Sequence, residues 1–198
     1  MRDVRKPELW VGLQEWAVTC QALAAGELTC VVRKGGIHEP QGGTFELQQP
    51  RFLLLPTYLH QDPERLHPHW RAGFDTAGRD PDSGAFVIEH WAEVGAVWKV
   101  VQPRVLEALG PRVPWTSEEL MRRFRYRGDP WLAVVAVRVH RMAAPVRVPF
   151  KPEYQGCRSW VPLGEPVAIA GSTPVCDEPT WAARLEELTS LLAAQEST

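Results

Sequence analysis

Long apolar runs are missing from this sequence. Nothing in it approaches the roughly 18 consecutive apolar residues of a membrane helix. The first ten residues, MRDVRKPELW, carry charges with no apolar segment directly after them, so they do not read as a secretory signal, and a cytoplasmic chain is expected. Cysteine is scarce: Cys20, Cys30, Cys157 and Cys176 show no C-x-x-C spacing and have no His or Cys neighbours at zinc-site intervals. A structural metal is therefore not expected, and four reduced thiols are the default. The P-loop, the dinucleotide-binding glycine fingerprint, H-E-x-x-H and G-x-S-x-G are all absent, as is an Asp followed by Glu-x-Lys on a convincing strand. No cofactor is expected. Net charge is also small, at −2.

What is present is an ordinary globular composition, 198 residues with 44% hydrophobic and 23% charged. A chain of this length buries roughly 70% of its unfolded surface and needs neither metal nor disulfide to be stable. One domain is expected over residues 1–198. The small net charge conceals a segregation. From Arg122 to Arg158 nine Lys or Arg face only Asp129 and Glu153, whereas from Glu165 to Thr198 six Asp or Glu face only Arg184. Such a pattern marks either a polyanion-facing surface with an acidic flank or two solvated faces that never combine.

The stretch that organises the chain is Arg51 to Gln61, RFLLLPTYLHQ. Four apolar residues in a row, Phe52 to Leu55, predict a strand buried on both faces, because alternation disappears when neither face meets water. Pro56 should end it, leaving Thr57, Tyr58, His60 and Gln61 at the mouth of the core. Upstream, EWAVTCQAL and ELTCVVR flank Ala24-Ala25-Gly26 and predict a three-residue hairpin that sets Cys20 opposite Cys30. The second strand runs into Arg33-Lys34-Gly35-Gly36, two cations beside a turn whose amides can point outward; this is either an anion cradle or only a turn. Thr44 to Leu47 reads as a short strand. The segment from Asp62 to Gly84, dense in Asp, Pro and Gly, reads as a long surface excursion able to fold over a site.

Further on, Ala85 to Trp91 and Ala96 to Val101 predict a second hairpin turning at Gly95, and Pro103 to Leu109 a helix stopped by Gly110-Pro111. Thr116-x-x-Glu119 is a capping box that opens a helix through Phe124. Trp131 to Met142 is the longest strand candidate, with short strands at Val146 to Phe150 and Pro166 to Ala170. Residues 178–195 form an acidic helix with Trp181, Leu185, Leu188 and Leu192 on one face. The order predicts an α+β fold on an antiparallel or mixed sheet, flat or curled into a partial β-barrel, with inserted helices and a C-terminal helix.

Four separated segments, RKGGIHE (Arg33 to Glu39), FLLLPTYLHQ (Phe52 to Gln61), PWTSEELMRRFRYR (Pro114 to Arg127) and EYQGCRSWVPL (Glu153 to Leu163), resemble in order and spacing the bacterial family catalogued as domain of unknown function 1802. The opening EWAVTCQAL is similar to that family's start. The resemblance spans about residues 15–163. It implies no defined activity, but association of related regions with restriction-endonuclease-type domains implies a role near DNA restriction or modification.

The residues admit more than one chemistry. Arg33, Lys34, Gly35 and Gly36 can meet a phosphate, while Thr57, Tyr58, His60, Gln61, Cys157, Ser159 and Trp160 offer polar edges and flat faces for a base. Alternatively His60 with Cys157 or Ser159 makes a hydrolytic pair, or the chain is a protein-interaction subunit for a nuclease or other partner. The expected function is a nucleic-acid-associated binding module, with no membrane contact.

Overall fold

The computed structural model describes residues 7–34, 49–58, 60–77, 84–154 and 159–193. Among them one mixed sheet carries every strand: β1 (Glu8–Trp16), β2 (Cys30–Arg33), β3 (Arg51–Thr57), β4 (Ala85–Val100), β5 (Leu132–Pro149), β6 (Trp160–Ala168) and the two-residue β7 (Thr173–Pro174). The order is β2-β5-β4-β3-β1-β6, with β7 beside β5; β1 and β3 run parallel and the other pairs antiparallel. Among the described residues five α-helices are inserted: α1 (Ala17–Ala24), α2 (Pro68–Ala77), α3 (Pro103–Leu109), α4 (Ser117–Phe124) and α5 (Glu178–Ala193). This is the α+β, mixed-sheet class that the order of elements predicts. None of these helices is long and apolar enough to cross a membrane.

Strand β3 holds the sheet together. Phe52 and Leu54 enter one core with α1 and the helices of its face, while Leu53 and Leu55 enter a second core with β6 and the outer half of β4. A strand buried on both sides has no polar face to show, which is why its four apolar residues run without interruption. It continues through Pro56 to Thr57, two residues beyond the expected end. Proline is tolerated there because β4 pairs with β3 only as far as Leu53, so the missing N–H interrupts no second ladder. On the other side the approach is tight. A Cβ on Gly12 would lie 2.4 Å from the Leu55 side chain, so glycine is what lets β1 pass over it.

The first hairpin is not formed. Residues Ala17 to Ala24 are helical, and Gly26 (φ 71°) closes that helix: its N–H donates to Leu23 O at 3.0 Å and the Glu27 N–H to Ala22 O at 2.9 Å, the paired bonds of a Schellman cap. Cys20 therefore sits on α1, donating to Glu15 O, while Cys30 faces Ala136 across the β2–β5 ladder and donates to Arg112 O. Helix α1 is buried on nearly every side, so it shows no 3.6-residue periodicity, and its apolar run mimics a strand. The second hairpin is also replaced. Ala85 to Val100 is a single strand paired along β5, with register shifts between Ile88 and His90 and between Val94 and Ala96. Gly95 marks the second bulge, where a Cβ would lie 2.6 Å from Trp181 of α5. Likewise β5 continues to Pro149 and absorbs the expected strand at Val146, β6 begins at Trp160 rather than Pro166, and the Asp62 to Gly84 excursion contains α2 with Trp70 buried beneath it. The strand expected at Thr44 to Leu47 lies outside the described residues.

Candidate nucleic-acid interface

The chemistry gathers where β1 ends and α1 begins. Glu15 is buried, its side chain 5% exposed, and its Oε2 accepts from Arg33 Nη1 at 2.6 Å while Oε1 accepts from Trp16 N at 3.0 Å. Arg33 also donates to Gln14 O at 3.3 Å. The bond is informative about shape. Strands β2 and β1 are four places apart in the sheet, about 19 Å if the sheet were flat. An arginine cannot span that distance, so the sheet curls until the end of β2 reaches β1, although the hydrogen-bonded path does not close.

Beside this pair stands α4. Thr116 Oγ1 accepts from Glu119 N at 3.2 Å, as half of the expected box. The Glu119 carboxylate does not return the bond. It is buried and turns to Arg122 (2.6 and 2.7 Å) and Arg123 (2.7 Å). Burial pushes the Glu119 carboxyl up, but hydrogen bonds from the two arginines outweigh it and hold the group below its ordinary value. Arg123 in turn lies 3.7 Å above the Trp115 ring, and Trp115 meets Trp16 edge-on at 4.7 Å, so α4 is pinned to the end of β1 by a cation–π and aromatic stack.

Lys34 ties in the last element. Its Nζ donates to Phe124 O at 3.4 Å, to Trp131 O at 2.9 Å and to Asp129 O, and lies 4.7 Å from the Trp131 ring centre; Lys99 Nζ stands 5.4 Å from the same ring. One ammonium thus fastens both ends of the Arg125–Pro130 turn to the end of β2. Desolvation lowers the Lys34 pKa, partly offset by Asp129. Tyr126, at the tip of that turn, is 51% exposed.

Residues of all four sequence segments lie along this junction. Gln14 accepts from Arg33 at its carbonyl and donates through its N–H to Ser159 O at 2.9 Å, and Gln61 Oε1 accepts from Val18 N at 3.4 Å in the first turn of α1. Trp16 pairs with Thr57 across the β1–β3 ladder, which sets Tyr58 just beyond, half-buried against the core. His60 is exposed, with φ 58°, a left-handed conformation that a non-glycine residue adopts at some cost. Trp160 is half-buried, edge-on to Phe52 at 5.1 Å. Among the described residues His60 makes no hydrogen bond to Ser159, and Gly35, Gly36 and Cys157 lie outside them. Nor do the described residues contain a cluster of three His, Cys, Asp or Glu placed to hold a metal.

The basic stretch does not stay together. Arg122, Arg123 and Arg125 stand at one end of β5 and Arg147 and Lys151 at the other, while Arg138, between them, pairs with Glu178 of α5 at 2.6 Å. Glu187 of the same helix pairs with Arg112, outside the basic stretch. The acidic and basic segments therefore neutralise each other in part, and the cations that remain concentrated are those around α4. Sequence reasoning missed Glu15, Trp16, Trp115 and Lys99. Their only signal was the clustering of tryptophans with charges of both signs.

The profile of the family described as Domain of unknown function (DUF1802) matches residues 12–187. The chain belongs to this family. No curated protein matches it significantly. Among solved structures, the ASCH protein from Zymomonas mobilis is similar over 77% of this chain and 86% of its own, at 12% identity and a TM-score of 0.44. A serine-to-alanine variant of that protein covers 90% of this chain and 94% of its own, at 14% identity and a TM-score of 0.42. A likeness at that level carries no conclusion about activity or ligand.

Proposed function

We propose that this member of the family is a nucleic-acid-binding module whose contact surface is the curled end of the sheet where β2, α4 and the start of β5 meet. The observation that carries this reading is the convergence fastened by Lys34. Arg33, Lys34, Lys99, Arg122, Arg123 and Arg125, drawn from three separate elements and the residues that directly follow them, stand together against Glu15, Glu118, Glu119 and Asp129, and two of those carboxylates are already bonded by arginine. Ala133 lies between Arg33 and Lys99 across the ladder, so these two side chains rise from the same row and face of the sheet. A local excess of cations interleaved with aromatic rings is the arrangement that phosphates and bases require.

The rim formed by Thr57, Tyr58, His60, Gln61, Ser159 and Trp160 adjoins this surface through the Glu15–Arg33 pair, and in this reading it supplies polar edges to bases. The proposal extends by sequence motif alone to Gly35, Gly36 and Cys157, which lie outside the described residues. An accessory role in DNA restriction or modification is the narrower form of the proposal, supported by the family resemblance alone. Titration of the chain against mixed-sequence single strands and duplexes, methylated and unmethylated, tests both levels. Binding that weakens steeply as salt rises from about 50 to about 200 mM supports the module. Discrimination by methylation supports the narrower role, and no binding to any probe at the lower salt overturns both.

A further inference from the structure

Among the described residues, Tyr126 is the one large aromatic side chain near this surface that is mostly exposed, and it is not loosely held. It follows an arginine-bearing helix directly, in a short 3-10 turn (Tyr126–Gly128) where Gly128 N donates to Arg125 O at 3.1 Å and Gly128 itself has φ 71°. Both ends of the turn are drawn to Lys34 Nζ through the carbonyls of Phe124, Asp129 and Trp131, and the Trp131 indole N–H donates to the Asp129 carboxylate. A flexible loop would lose ordering entropy on binding; a turn clamped at both ends has already lost it. Arg122, four residues before Tyr126, interacts with it electrostatically, Arg125 beside it in sequence is exposed, and Trp131, just past the far end of the turn, stands beneath two lysines.

We infer that this turn is a base-stacking platform for single-stranded nucleic acid, an inference that rests on the nucleic-acid reading and specifies its ligand. An unpaired base stacks on the Tyr126 ring, Arg125 and Lys99 take the phosphates on either side, and Lys34 acts as a positioning residue that presents the turn. A duplex keeps its base faces hidden within its own stack, so an exposed ring has nothing to engage there except the backbone. No sequence readout is implied, because every base offers a flat face.

The experiment measures fluorescence anisotropy of labelled oligouridine, oligothymidine and a blunt duplex with the full chain, its Tyr126→Ala, Tyr126→Phe and Arg125→Ala variants. The two single strands distinguish RNA from DNA as the source of the same chemistry. Single strands should bind more tightly than the duplex. Tyr126→Ala should weaken single-strand binding about tenfold or more while leaving the salt slope unchanged, whereas Tyr126→Phe, which keeps the ring, should bind like the parent. Arg125→Ala should lower the slope by about 0.7, the value for one phosphate neutralised on a single strand. Urea midpoints equal to the parent's are expected for all three, since the substituted side chains face solvent. If the chain binds nucleic acid but Tyr126→Ala binds single strands as well as the parent, the stacking platform falls and the module stands. If the parent binds none of the probes, both fall.

Discussion

Replacing Arg33 separates a structural role from a ligand-binding one. Its guanidinium is 15% exposed and Glu15, its partner at 2.6 Å, is 5% exposed, so removal of the cation leaves a carboxylate in the interior that keeps the Trp16 amide as a hydrogen-bond donor and only the more distant attraction of Arg123, itself engaged by Glu119. An uncompensated buried charge of this kind costs about 3 to 5 kcal/mol. With a urea dependence of about 2 kcal/mol per molar for a domain of this size, Arg33→Met should lower the unfolding midpoint by roughly 2 M. The double variant Glu15→Gln/Arg33→Met removes both charges and should recover most of that loss, because neutral groups of similar shape carry no comparable desolvation penalty. A single variant that costs under about 1 kcal/mol, or a double variant no better than the single, would refute the claim that Arg33 serves the fold by neutralising Glu15. The same result bears on binding: loss of nucleic-acid affinity in an Arg33 variant is not evidence of contact unless its midpoint is unchanged.

Leu54, 3% exposed on β3, should cost about 2 to 5 kcal/mol when cut to alanine, measured in the same urea melt. Gly95→Ala places a methyl 2.6 Å from Trp181, and about 1 to 3 kcal/mol of destabilisation is expected from displacing α5; Gly128→Ala, with open space around it, should show only the strain of its positive φ. His90 and His140 both have pKa values lowered first by desolvation, for His140 against a raising bond to Glu93, so the unfolded chain takes up protons more readily than the fold. Stability should therefore be full above the unfolded value of about 6.5 and fall as pH drops below it, and His140→Asn should flatten that slope; a midpoint that rises on acidification contradicts the assignment.

Much of this architecture can be read from local pattern where one cause dominates. The unbroken apolar run of β3, the threonine cap before Glu119, the Pro103 and Gly110 limits of α3 and the apolar stripe of α5 each have a single physical reason, and each is found where that reason places it. The failures share a different property. Helix α1 is buried all round and so loses the amphipathic signal, while Gly26 favours a hairpin loop and a helix cap equally well, since both need a left-handed residue. Gly95 serves a bulge and the approach of Trp181, neither of which its neighbours in sequence reveal. Arg33 beside two glycines has the pattern of an anion cradle because its partner, Glu15, comes from the other side of a curled sheet. Thermodynamically the pair belongs to the core, and the cations available to a ligand are those on the turn and strand behind it.

The salt dependence of oligonucleotide affinity, compared between the parent chain and an Arg125→Glu/Lys99→Glu variant, tests the central claim most directly. Both residues lie at the Lys34-fastened corner, and neither is placed in the core. The account predicts log–log salt slopes that are steep for the parent and shallower in the variant by about 0.7 to 0.9 for each phosphate it no longer neutralises, with weaker affinity throughout and an unchanged unfolding midpoint. A parent chain whose titration is flat at about 50 mM salt, or a doubly reversed variant that binds as the parent does, would contradict it.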